Sequence, residues 1–185
     1  MNFTFKTNRS LPLRFFCAPP FIRCLLLGTF LFSILVPSLP ADPLPAADRI
    51  LVEKASRSMT LFRKGKVLKT YVIALGIEPV GHKEKEGDGR TPEGIYRISG
   101  RNPQSKFHLS LRVSYPSEAD RESARKRGVA PGGDIMIHGL PNGSGALGAA
   151  HRLRDWTIGC IAVTNEEIQE IWNSVADGTE IEIRP

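Results

Sequence analysis

The chain has 185 residues, with 25 Lys and Arg against 19 Asp and Glu for a formal net charge of +6, and three cysteines. The charge is unevenly spread: residues 1–41 hold Lys6, Arg9, Arg14 and Arg23 and no acid, so without those four of the 25 basic residues the remainder is nearly balanced, at +2. The high pI is therefore no argument for a nucleic-acid partner, and none is expected. Cys17 and Cys24 fall in the same segment, leaving Cys160 alone in the rest of the chain, which excludes an internal disulfide framework there.

Behind the basic residues runs the largely apolar, 13-residue stretch from Cys24 to Val36. A membrane-spanning helix needs about 20 residues, so residues 1–41 read as a secretory signal peptide, with cleavage near Ala41 or Ala47. An uncleaved anchor is the other reading of the same run. Membrane contact is expected only through this segment, and the protein is expected in the periplasm or cell envelope. Residues 42–48, with Pro43 and Pro45, read as a short stiff linker, and residues 49–185 are enough for one domain with its own core.

The first half of that domain has the signature of strands. Ile50 and Val52 alternate with Leu51 and Glu53, and residues 58–62 and 67–75 flank the polar turn Arg63-Lys64-Gly65-Lys66, a hairpin pattern. A charged, Gly-rich loop over 76–89 closes on Arg90-Thr91-Pro92-Glu93-Gly94, whose Pro and Gly specify a turn into the strand Ile95-Tyr96-Arg97-Ile98. Leu109, Leu111 and Val113 predict another strand. Residues 117–127 are polar, and their periodicity is compatible with an exposed helix or a loop. Residues 134–138 form a short apolar strand ending on His138, and 139–156 read as an irregular loop. Ile168, Ile171, Trp172 and Val175 make one helical stripe, opened by the capping box Thr164/Glu167 with Val163 stapled to Ile168. That helix is expected to stop at Gly178, before a closing strand over 179–183. The fold class is therefore mostly β, a β-rich α+β domain with one well-defined C-terminal helix.

The chemistry concentrates in His138-Gly139 and in Asp155-Trp156-Thr157-Ile158-Gly159-Cys160-Ile161. Cys160 follows a glycine where loop meets strand, a few residues before a helix N-terminus that would favour a thiolate. Gly159 allows close backbone approach, so nearby N–H groups could face a developing oxyanion. A thiol near neutral pH needs a base, and His138 at a strand end is the leading candidate. The plainer reading makes Cys160 a small buried hydrophobe and His138 a core histidine. His151 competes as base or as a third member of a metal site, but no pair of potential ligands has tight metal spacing, and no metal or cofactor is expected. His82 and His108 are expected at the surface.

The ordered set Arg90-Thr91-Pro92-Glu93-Gly94-Ile95-Tyr96, Ile137-His138-Gly139 and Thr157-Ile158-Gly159-Cys160-Ile161, with the final helix and strand, resembles the L,D-transpeptidase (YkuD-type) catalytic domain over about residues 49–184. The resemblance implies a β-sandwich-like fold, Cys160 as acylated nucleophile, His138 as general acid/base and the Gly139 carbonyl as the group orienting it. It places Thr157 at the Ser/Thr position of the cysteine motif. Ile158 stands where many members have His, and Ala162 where many have Arg. Arg152 or Arg154, in the unusually long loop between His138 and Cys160, is then expected to supply the missing charge, and with Thr157 and Ile158 to line the substrate side.

The implied partner is the peptidoglycan stem peptide and the implied reaction acyl transfer through a Cys160 thioester. Carboxypeptidase, endopeptidase or amidase action by the same pair is the alternative, since the region after Asp155 looks like a subgroup that includes murein-directed hydrolytic members. A non-catalytic wall-binding domain is the reading from a different class.

Overall fold

The second and third expected strands form the hairpin as read: β2 (Ser58–Arg63) and β3 (Lys66–Val72) pair antiparallel around Lys64-Gly65. The protein is seen here as a computed structural model that describes residues 43–185. The expected signal segment, residues 1–41, lies outside the described residues. The preceding strand, β1 (Ala47–Glu53), pairs antiparallel with β2 and buries Ile50 and Val52 on one face. It starts at Ala47, so the last two residues of the expected linker are already strand.

Five further strands complete one eight-stranded sheet in the order β3-β2-β1-β8-β4-β5-β6-β7. They are β4 (Gly94–Ser105), β5 (His108–Val113), β6 (Met136–His138), β7 (Ile161–Ala162) and β8 (Val175–Arg184). β8 runs parallel to β1 and antiparallel to β4, so the C-terminal strand fills the middle of the sheet. The sheet curls until its two ends meet: the N–H and C=O of Ala74, just past β3, exchange hydrogen bonds with those of Ala162 in β7 at 2.9 and 2.8 Å. The β-rich class expected from the sequence is present, with the two halves of this curled sheet enclosing one core.

The closing helix α2 (Asn165–Ser174) carries the expected capping box. Thr164 Oγ1 accepts from Glu167 N, and the Glu167 carboxylate accepts from Thr164 N at 2.9 Å. It buries Ile168 and Ile171 against the core. The helix ends four residues earlier than expected. Val175 is a strand residue paired with Ala47, and Gly178 lies inside β8. Val175 is β-branched and stays fully buried either way, so the apolar stripe could not tell helix from strand at that position.

Two further segments take a definite form that the sequence reading left open or read as loop. Residues 118–126 form helix α1 (Glu118–Lys126), capped by Ser117, whose hydroxyl accepts from Asp120 N while Asp120 accepts from Ser117 N at 2.8 Å. The box uses Asp where the usual pattern has Glu or Gln, and only Ala124 is buried, so neither cap template nor periodicity was decisive. Within the loop 139–156 the segment Gly145–Leu153 is wound into 3-10 turns, kinked at Gly148. Among the described residues, no helix is long and apolar enough to cross a membrane.

Candidate active site

β6 and β7 pair in parallel with Ile137 opposite Ile161 and His138 opposite Ala162. Side chains alternate along a strand, so His138, Ala162 and Cys160, which immediately precedes β7, share one face. The short apolar strand and the Gly-Cys junction thus bring together two residues 22 positions apart in sequence.

Gly159 makes the turn onto that face possible. Its φ is +123°, and a Cβ there would lie 2.6 Å from the carbonyl oxygen of Arg90. Beneath it runs Gly76, where a Cβ would meet Gly89 O at 2.1 Å and Gly159 Cα at 3.1 Å, so the charged loop passes hard under the nucleophile. Gly159→Ala is therefore expected to lose at least ~2 kcal/mol of stability through backbone strain and overlap. The check is a lowered urea midpoint together with slowed alkylation of Cys160.

Thr157 holds this turn from inside. Its hydroxyl donates to Cys160 O at 2.7 Å and accepts from Gly159 N at 3.1 Å, and the residue is buried. It is a positioning residue rather than a substrate contact. The Gly159 N–H is already engaged with that hydroxyl, so it is not a free oxyanion donor as the sequence suggested. Asp155 ties the same loop to the hairpin: its carboxylate accepts from Leu75 N at 2.8 Å and forms an ion pair with Arg57 at 2.8 Å. Ile158, in contrast, is 69 % exposed and lines the cavity in front of the thiol.

The Cys160 thiol donates to the carbonyl of Asp134 at 3.4 Å. Asp134 itself sits at φ +53°, an uncommon conformation for a non-glycine residue. Burial pushes the thiol pKa above its ordinary value, and the Asp134 carboxylate adds to the rise. The Met136 N–H, which hydrogen-bonds the thiolate, and Lys83 act against it. A resting thiol of this kind needs a base to become a nucleophile.

His138 has the tautomer and protonation state that a base requires. Its Nδ1 lies 2.7 Å from Gly139 O, and a carbonyl can only accept, so Nδ1 carries the proton and Nε2 presents its lone pair. Nε2 has no hydrogen-bond partner among the described residues. The ring is buried between Phe107, at 4.5 Å between centroids, and Trp156, at 5.7 Å. Burial drives its pKa down to about 4 against the opposing Gly139 carbonyl, with His151 lowering it further. The imidazole is thus neutral and able to accept a proton at physiological pH. Its hydrogen bond to the thiol is not formed in this resting arrangement, and such bonds commonly tighten only around substrate.

The remaining expected residues separate. His151 is buried in the 3-10 segment, where its Nδ1 accepts from Trp156 Nε1 at 3.4 Å. Among the described residues no cluster of His, Cys, Asp or Glu could hold a metal ion. Arg152 is paired with Glu167 at the start of α2, which commits it to the scaffold. Arg154 borders a different cavity of about 480 Å³, lined chiefly by Leu140, Leu147, Leu153 and Trp156. His108 is exposed as expected, but His82 is held, accepting from Glu93 N at 3.0 Å and facing Asp120 at 3.2 Å. Sequence reasoning did not find Phe107, Met136, Asp134 or Lys83 as parts of the site. No motif marks them, because each is brought in by pairing or loop crossing distant in sequence.

The family model for the YkuD L,D-transpeptidase catalytic domain matches residues 47–183. YafK of Escherichia coli (strain K12), whose name calls it an L,D-transpeptidase, is 27 % identical over 132 residues, covering 68 % of this chain and 46 % of YafK. The helical cell shape determining protein Pgp2 of Campylobacter jejuni superposes with a TM-score of 0.55 at 25 % identity, covering 76 % of this chain and 50 % of Pgp2. Bd1075 of Bdellovibrio bacteriovorus gives 0.52 at 26 % identity, with coverages of 78 % and 52 %. The chain thus spans about half the length of the relatives it matches.

Proposed function

The chain belongs to the L,D-transpeptidase (YkuD) catalytic-domain family, and from that premise we propose that it is an exported cysteine acyltransferase acting on peptidoglycan stem peptides. The observation that carries the reading is the placement of a neutral, tautomer-fixed His138 on the same face of adjacent strands as Cys160, which lines a cavity of about 240 Å³. The names of YafK and Pgp2 agree with a cell-wall role, and a signal peptide over residues 1–41 would deliver the domain to the envelope.

In the proposed reaction, Nε2 of His138 takes the Cys160 proton as Sγ attacks the carbonyl of an L-centre at its bond to a D-residue. The tetrahedral intermediate collapses, the C–N bond breaks, and the imidazolium returns the proton to the departing amine, leaving a thioester. An acceptor amine then attacks the thioester carbonyl and gives its proton to Nε2; the C–S bond breaks, and the imidazolium returns the proton to the departing Cys160 sulfur. Phe107 and Trp156 keep the imidazole dry, which keeps it neutral between the two proton transfers.

Intact-protein mass after incubation with a purified stem tetrapeptide tests this. The expected product is one acyl adduct on Cys160 lacking the terminal D-residue, discharged by added amine to a cross-linked peptide. Release of tripeptide alone would make the enzyme a hydrolase with the same intermediate. Absence of both adduct and product would end the proposal.

A further inference from the structure

The Cys160 cavity is short of one charge that the family resemblance calls for, because Ala162 replaces the arginine two residues after the cysteine. Neither expected substitute supplies it: Arg152 is paired with Glu167, and Arg154 borders the separate apolar cavity. A different cation does reach the cavity. Lys83 lines it together with Cys160, Ile158, Gly132 and Asp134, although Lys83 comes from the loop between β3 and β4, 77 positions before the cysteine.

Lys83 is held there in a manner unusual for lysine. Its side chain is only 3 % exposed, and its ammonium donates to Asp88 at 2.8 Å and to the carbonyl of Lys85 at 3.1 Å. An ammonium has three donors, so one N–H remains uncommitted. The Asp88 carboxylate that pairs with it also accepts from the backbone N–H groups of Glu84, Lys85 and Arg90 at 2.7, 3.1 and 3.1 Å, and does not itself line the cavity. The loop itself is pinned. Buried Lys54 bonds the carbonyls of Gly81 and Thr91 and the Glu93 carboxylate, and Glu86 N donates to Ala130 O at 2.8 Å. Of the acids lining the cavity, Asp134 is paired with Arg112 at 2.9 Å, and Glu86 stands exposed at the rim. Of the buried Lys83–Asp88 pair, the lysine alone therefore lines the cavity.

We propose that Lys83 is the specificity-determining cation of the Cys160 cavity, receiving a carboxylate carried by the acyl-donor peptide. The inference rests on the acyl-transfer reading above and names the part of the donor that the cavity selects. A desolvated, preorganised ammonium bonds a carboxylate far better than the corresponding carboxamide.

Binding can be read without turnover, on Cys160→Ala protein titrated with two stem tetrapeptides that differ only in a free or amidated side-chain carboxylate on the attacked residue. The protein with Lys83 is expected to prefer the free carboxylate by roughly 10- to 100-fold. Because Lys83→Met alone would strand Asp88, the neutral pair Lys83→Met/Asp88→Asn is the main variant. Its preference is expected to fall to within about threefold, whereas Lys83→Arg retains most of it. Thermal melting and iodoacetamide alkylation, read in the Cys160-containing background, report whether the fold and thiol survive. A folded neutral-pair variant that keeps the full preference, or no preference in protein with Lys83, overturns the assignment of Lys83 even where wild-type enzyme transfers both peptides. Wild-type enzyme that transfers neither peptide overturns the acyl-transfer reading and this inference with it.

Discussion

Replacing Cys160 by alanine is expected to abolish acyl transfer and leave the fold in place. The variant should form no covalent adduct with stem peptide or with a carbapenem, whereas the native chain should gain one equivalent on this residue, as its family resemblance implies. The two outcomes follow from different properties. The reaction depends on a thiolate sulfur for which alanine has no counterpart, so activity should fall to background. The side chain fills little volume: it stands at the junction of loop and β7, half-buried at the edge of a cavity, with one long hydrogen bond to Asp134 O. Its removal should therefore change stability by less than ~1 kcal/mol. Intact mass and thermal melting of the two proteins, measured side by side, check both halves. A C160A protein that still turned over murein would end the cysteine-enzyme proposal.

His138→Ala is expected to slow acylation of Cys160 by roughly 100- to 10,000-fold, the usual worth of a positioned base. His151→Ala should cost less than about tenfold, since His151 hydrogen-bonds Trp156 and its effect on His138 is a secondary electrostatic one. The pH dependence distinguishes the two histidines further. With the pKa of His138 depressed to about 4, its basic form is complete well below neutrality, so acylation should show no inflection near the ordinary histidine value of 6.5. The thiol is displaced in the other direction by burial, so the rate should continue to climb with pH past the usual cysteine range. In His138→Ala only the thiol limb should remain, with the loss greatest at low pH, where a base matters most. A wild-type profile with a limb at 6.5, or a His151→Ala enzyme slower than His138→Ala, would reverse the assignment of roles.

Two of these expectations were visible in the sequence because the elements concerned are local. The Thr164/Glu167 box, the stapled Val163 and the Ile168/Ile171 stripe specify α2 within a dozen residues. The apolar run ending on His138 and the glycine before Cys160 announce two strand termini that need only be brought side by side. Helix α1 was less legible, because its Asp120 cap departs from the usual residue and its single buried alanine leaves no stripe.

What the sequence determined by itself is the β-rich class, the hairpin, the last helix and the choice of Cys160 and His138 as the candidate reactive pair, since each depends on periodicity, caps or residue chemistry within a short window. The tertiary structure decided what surrounds them. Strand pairing placed Cys160 and His138 on one face, and the buried contact with Phe107 and Trp156 held the imidazole neutral. The Glu167 ion pair withdrew Arg152 from the site, and the Gly76–Gly89–Gly159 crossing carried the loop of Lys83 into it. Desolvation and charge pairing depend on which distant segments meet, and a linear pattern of residue types does not encode that until the sheet has curled and closed.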